Sequence, residues 1–125
     1  MKRIISTSAA PAAVGPYSQG VEASGATLYV SGQLPIDPAD GTMPDTVEQQ
    51  TEQALRNVEA ILREAGSSLL EVVKSVVLLA DMNDFAAMNA IYARFYAKDM
   101  PARVCYEVGR LPMGARVEIE TIAVK

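Results

Sequence analysis

The stretch VVKSVVLLA, Val72 to Ala80, decides the fold. It is rich in β-branched residues, which favour a pleated strand, and it is apolar at both alternating sets of positions. Val73, Val77 and Leu79 oppose Val72, Val76 and Leu78, the pattern of a strand buried on both faces. Such a strand sits in the middle of a sheet and needs cover on each side.

Working outward, the chain offers helices on either side of this strand. TVEQQTEQALRNVEAILREAG, Thr46 to Gly66, places Val47, Thr51, Ala54, Leu55, Val58, Ile61, Leu62 and Ala65 on one stripe at helical spacing. Thr46-x-x-Gln49 forms a possible capping box and Gly66 a stop. A second helix begins near Asp84, carries Phe85, Met88, Ile91, Tyr92 and Phe95 on its stripe, and ends before Pro101. Upstream, ATLYVSGQLP gives a strand ending at Ser31-Gly32, preceded by a possible strand around Tyr17 to Ala23, and PIDPADGTMPD is a turn-rich connection. Downstream, PARVCYEVGRLPMGARVEIE contains two strands. Alternation in the first sets Val104, Tyr106 and Val108 as a core face against Arg103, Cys105 and Glu107. In the second, Val117 and Ile119 oppose Arg116, Glu118 and Glu120, and ion pairing accounts for Glu107, Arg116 and Glu120.

The order strand, strand, helix, strand, helix, strand, strand predicts an α+β fold, a mixed sheet with two helices packed on one face, as a single domain over residues 1–125. Two helices cover one face only. The second apolar face of residues 72–80 therefore predicts self-association, with the polar side of the C-terminal strands lining a subunit interface.

Composition removes several classes of function. The 125 residues are half apolar, enough for one core, and include one cysteine and no histidine. A single cysteine cannot form an internal disulfide, which fits a reducing, cytoplasmic setting. Without histidine, a zinc site and the Ser-His and Cys-His forms of nucleophilic activation are excluded in practice. A net charge of −4 with no run of basic residues argues against a nucleic-acid backbone as partner. No apolar stretch approaches the roughly 20 residues of a membrane span.

Five segments together resemble a known family: APAAVGPYSQGV (Ala10 to Val21), YVSGQLPIDP (Tyr29 to Pro38), QALRNVEAILREAG, VVKSVVLLADMNDFAAMNAIYARFY (Val72 to Tyr96) and PARVCYEVGRLPMGARVEIETIAV. They are similar to the RidA/YjgF/UK114 family of reactive-intermediate deaminases, and the resemblance covers nearly the whole chain. It implies a chorismate-mutase-like (YjgF-like) fold, a homotrimer with three clefts between subunits, and cofactor-free, metal-free hydrolysis of 2-imino or enamine acids, such as 2-iminopropanoate and 2-iminobutanoate, to 2-keto acids and ammonia. By the same resemblance Arg103 holds the substrate carboxylate and Glu118 positions and activates water. Cys105, Tyr17, Ser31 and Gly32 line the pocket, with Asn89 near its rim. It also implies that the last two strands are not neighbours, so Arg103 and Glu118 would meet across a subunit boundary. One departure is Val104, where the family commonly has serine; alternation turns it away from Arg103.

The chemistry suits this residue set. A protonated imine is already electrophilic, so its hydrolysis needs a fixed carboxylate, an aligned water and a base, with no covalent nucleophile. The planar fork of arginine pairs both oxygens of a carboxylate. Two other readings are a non-catalytic trimer that binds 2-keto acids for regulation, and an RNA-cleaving or translation-inhibiting protein. The acidic chain offers the latter neither a backbone grip nor a histidine.

Overall fold

The computed structural model describes residues 1–125. Its main elements are β1 (Lys2–Ile5), β2 (Gly20–Ala23), β3 (Thr27–Gln33), α1 (Val47–Glu64), β4 (Val72–Leu79), α2 (Phe85–Phe95), β5 (Ala102–Glu107) and β6 (Val117–Val124). Four strands form one sheet in the order β3-β6-β4-β5, and β1 pairs with β2 in a separate ribbon. β4 and β5 run parallel while the other pairs of the sheet are antiparallel. A parallel neighbour requires a crossover, which α2 provides. The fold is α+β, with two helices on one face of a mixed sheet. β1 was not anticipated, because four residues carry too little periodicity to announce a strand.

α1 begins where Thr46, in extended conformation, accepts a hydrogen bond from the Gln49 amide, and Gly66, at φ +72°, ends it. Its Ala54, Leu55, Val58 and Leu62 are buried together with Met88, Tyr92 and Tyr96 after the same face of the sheet is laid against them: Val72, Val77, Leu79, Val117, Ile119 and Ala123. Each large apolar side chain removed from water there contributes about 1.5–3 kcal/mol. Ile61, on the expected stripe, is instead 41 % exposed. Gln50 takes a buried place on α1, donating to the Pro44 carbonyl and accepting from the Arg116 amide, and so ties the helix to the entry of β6.

The central strand departs from strict alternation at one point. The β4–β6 ladder is irregular between Val72 and Lys74, and this shift puts Val72 on the helix side with Ser75, Val77 and Leu79. Val76 and Leu78 face the other way, and in register with them stand Val104 and Tyr106 of β5 and Glu120 and Glu118 of β6. No helix covers this second face. Val104 is 40 %, Tyr106 48 % and Tyr29 79 % exposed on it.

Two expectations for the C-terminal strands are corrected. Val104 and Tyr106 do not face the core; they share the uncovered face with Glu118, while Arg103 and Cys105 turn towards the helices, Cys105 packing against the core cluster. Parity along a strand was read correctly, but β5 is an edge strand and its helix-side positions reach the rim of the core, where an arginine can be housed. Glu107 forms no ion pair; its carboxylate accepts from the Met82 amide at 3.0 Å. Arg116, by contrast, pairs with Asp84 at 3.3 Å.

Candidate functional site

Arg103 sits on β5 in register with Ser75 of β4, half-buried at the edge of the helix-covered face. Its guanidinium lies 4.8 Å from the ring centre of Tyr92, 5.5 Å from Tyr17 and 5.6 Å from Phe85, within the range of cation–π attraction. One guanidinium nitrogen, Nη1, donates to Asn89 Oδ1 at 2.7 Å. Five arginines pair with acids: Arg3, Arg56, Arg63, Arg94 and Arg116. Arg103 is half-buried and has no carboxylate within reach.

Local sequence explains how these groups converge. Phe85, Asn89 and Tyr92 are spaced four and three apart on α2 and so present one face. Tyr17 is delivered by a docked segment: Ser18 bridges Ala102 at the start of β5, its amide donates to Pro101 O at 3.0 Å and its hydroxyl donates to Met100 O. Gln19 ties the preceding loop down through the Thr7 amide and the carbonyls of Thr7 and Pro11. Gly15 lies against the pair; a Cβ there would stand 3.3 Å from Tyr17 Cε1 and 3.7 Å from Arg103 Nη2. Cys105 lies two residues along β5, and burial pushes its thiol pKa up while Arg103 pulls it back down. It is a neutral thiol near pH 7 rather than a nucleophilic thiolate.

Glu118 occupies the uncovered face, in register with Leu78. Its side chain lies over Gly32, where an added Cβ would overlap the carboxylate and come within 3.0 Å of Cδ. Close approach explains the glycine. Glu118 forms no salt bridge within the chain. Ser31, next to Gly32, is exposed, and its carbonyl accepts from the Gln33 side chain at 3.0 Å.

The anticipated residues thus fall into two groups. Arg103, Asn89, Tyr17 and Cys105 gather on the helix side of β5, whereas Glu118, Gly32 and Ser31 lie across the sheet on its other face. Sequence reasoning assigned Tyr92 and Phe85 to the core alone and missed that their rings flank Arg103. The spacing of Phe85, Asn89 and Tyr92 on one helix face was the available signal.

This architecture defines the class: an α+β protein with two helices on one face of a four-stranded mixed sheet. A family model described as Endoribonuclease L-PSP matches residues 7–125. Over its full length the chain is 52 % identical to a 2-iminobutanoate/2-iminopropanoate deaminase of Capra hircus, spanning 91 % of that protein, and 45 % identical to the Homo sapiens protein of the same name, again over 91 % of its length. Among solved structures, RidA from a Psychrobacter species superposes with a TM-score of 0.78 at 42 % identity, covering 98 % of this chain and 99 % of that one. Escherichia coli TdcF with bound serine gives 0.77 at 41 % identity, covering 98 % of each chain. The chain belongs to the RidA/YjgF family.

Proposed function

We infer that this chain is a 2-iminobutanoate/2-iminopropanoate deaminase, hydrolysing 2-imino acids to 2-keto acids and ammonia. Full-length relatives of that name support the reaction, and one observation carries the assignment of the site: a half-buried arginine, boxed by three rings, with no acid of its own. Such a cation is suited to a substrate carboxylate.

The assembly we propose is a cytoplasmic homotrimer. The uncovered sheet face with Val104, Tyr106 and Tyr29 exposed supports burial against further copies of the chain. A head-to-tail contact that closes into a ring can set Arg103 of one copy opposite Glu118 of the next, which a single copy cannot do across its own sheet. Three clefts result, with Tyr17, Asn89 and Cys105 beside Arg103 on one wall and Ser31 and Gly32 beside Glu118 on the other.

In that cleft Arg103 fixes the carboxylate and thereby the adjacent C=N carbon. Water attacks that carbon, the C=N π pair moves to nitrogen, and Glu118 takes a proton from the water. Glu118 then returns the proton to nitrogen. Collapse of the carbinolamine breaks the C–N bond with its pair leaving on nitrogen as ammonia, the hydroxyl proton passes to that ammonia as C=O forms, and a 2-keto acid and ammonium remain. The carbon is never bonded to the protein.

The family description as an endoribonuclease suggests a second activity, but a chain of net charge −4 with no histidine is poorly equipped for it. The deciding experiment generates 2-iminopropanoate and 2-iminobutanoate in the cuvette and follows keto-acid and ammonia release. Acceleration by the parent, lost in Arg103→Ala and in Glu118→Gln, is the expected result. Binding of keto acids without acceleration would instead make the chain a sensor or carrier.

A further inference from the structure

Asn89 has its oxygen engaged before any ligand arrives. A guanidinium has only donors, so the group facing Arg103 Nη1 at 2.7 Å must be the amide oxygen, not the amide nitrogen. The other contacts of the guanidinium are ring faces, of Tyr92, Tyr17 and Phe85. These set its plane without neutralising it. The remaining N–H groups of Arg103 have no acceptor among the chain's side chains, and Nη2 lies beside Gly15, where a Cβ would stand 3.7 Å from it.

We propose that Asn89 is a positioning residue for Arg103, a neutral clamp that fixes one edge of the guanidinium and leaves its full charge and its other donors to the ligand's carboxylate. The inference rests on the reading of Arg103 as the carboxylate-binding group. A neutral oxygen is what this task requires. An aspartate of the same shape would hold the arginine as firmly, but it would pair with the charge and repel the carboxylate arriving a few ångströms away. An alanine would leave a long side chain against three rings with no hydrogen bond to fix its rotation.

The test compares the parent with Asn89→Ala, Asn89→Asp and Arg103→Ala, using pyruvate and 2-oxobutanoate binding by calorimetry and kcat and KM on 2-iminobutanoate. Circular dichroism and sedimentation confirm that each variant keeps the parent's fold and assembly, and Asn89→Ser replaces any that does not. The clamp predicts that Asn89→Ala raises Kd and KM roughly tenfold or more while kcat changes little, since orienting the carboxylate serves ground and transition states alike. It also predicts that Asn89→Asp, nearly identical in shape, binds more weakly than Asn89→Ala. An Asn89→Asp variant that binds as well as the parent overturns the proposal, and so does a loss confined to kcat, which would place Asn89 at the reacting atoms. If Arg103→Ala binds keto acids like the parent, the reading of the site has failed and the clamp falls with it. If Arg103→Ala loses binding while both Asn89 variants keep it, only the clamp has failed.

Discussion

Arg103 on β5 and Glu118 on β6 stand on opposite faces of one sheet with β4 between their strands. Each is half-buried and neither has a charged partner within the chain. On the proposed function these two unpaired groups, kept apart by the sheet that carries them, are half-sites that a neighbouring copy completes, and their separation sets the expected behaviour of variants.

Replacing Arg103 with lysine keeps the charge and discards the fork and the flat surface that packs on three rings. We expect Arg103→Lys to raise KM for 2-iminobutanoate by about 10- to 100-fold, with the fold retained. Steady-state ammonia release over a range of substrate concentrations measures it. Parent-like KM would show that charge alone suffices.

Gly32 is not in the left-handed region, so an alanine there meets no backbone strain, only the Glu118 carboxylate. Gly32→Ala is expected to displace Glu118 and lower kcat at least tenfold without unfolding the protein. The shorter acid of Glu118→Asp relieves the overlap. Unfolding midpoints of the two single variants and the double variant will therefore be non-additive, the double variant being more stable than the sum of the singles requires.

A charge placed at Val104 enters the uncovered face in the row that already holds Glu120. If the proposed trimer buries this face, Val104→Glu shifts it to monomer in analytical ultracentrifugation and abolishes deaminase activity, because in that assembly a single copy would hold only half of each cleft. A monomeric yet fully active variant would sink the interfacial site.

Burial pushes the Tyr92 phenol up to about 12 from an ordinary 10.0, with the Arg103 charge opposing. Folding thus favours the neutral phenol. This contribution is whole below pH 10, falls as pH rises, and is gone above about 12, on the order of 2–3 kcal/mol in all. The Tyr92 hydroxyl completes no hydrogen bond, although Ser75 is adjacent. Tyr92→Phe should therefore cost about 1 kcal/mol or less near neutral pH and flatten the alkaline loss of stability. Urea unfolding at a series of pH values between 8 and 12 reads both.

The alternation of apolar residues, the spacing of two helical stripes and the caps at Thr46 and Gly66 are local properties, and from them the sequence determined the element types and the α+β class of the fold. Residue types and their order likewise singled out Arg103, Glu118, Cys105, Tyr17, Ser31, Gly32 and Asn89 through a family resemblance. Alternation also separated Arg103 from Val104 correctly. What it could not decide was which of the two faces of β5 meets the helices, because a period of two is symmetric between faces. Only packing broke that symmetry: α2 crosses over between β4 and β5 and lays Phe85, Asn89 and Tyr92 against the helix-side position of Arg103. Val72 shows the same limit, since its face depends on a ladder irregularity that pairing with β6 creates. The separation of Arg103 from Glu118 arises from strand order, β4 lying between β5 and β6, and strand order is fixed by long-range contacts that no local pattern encodes.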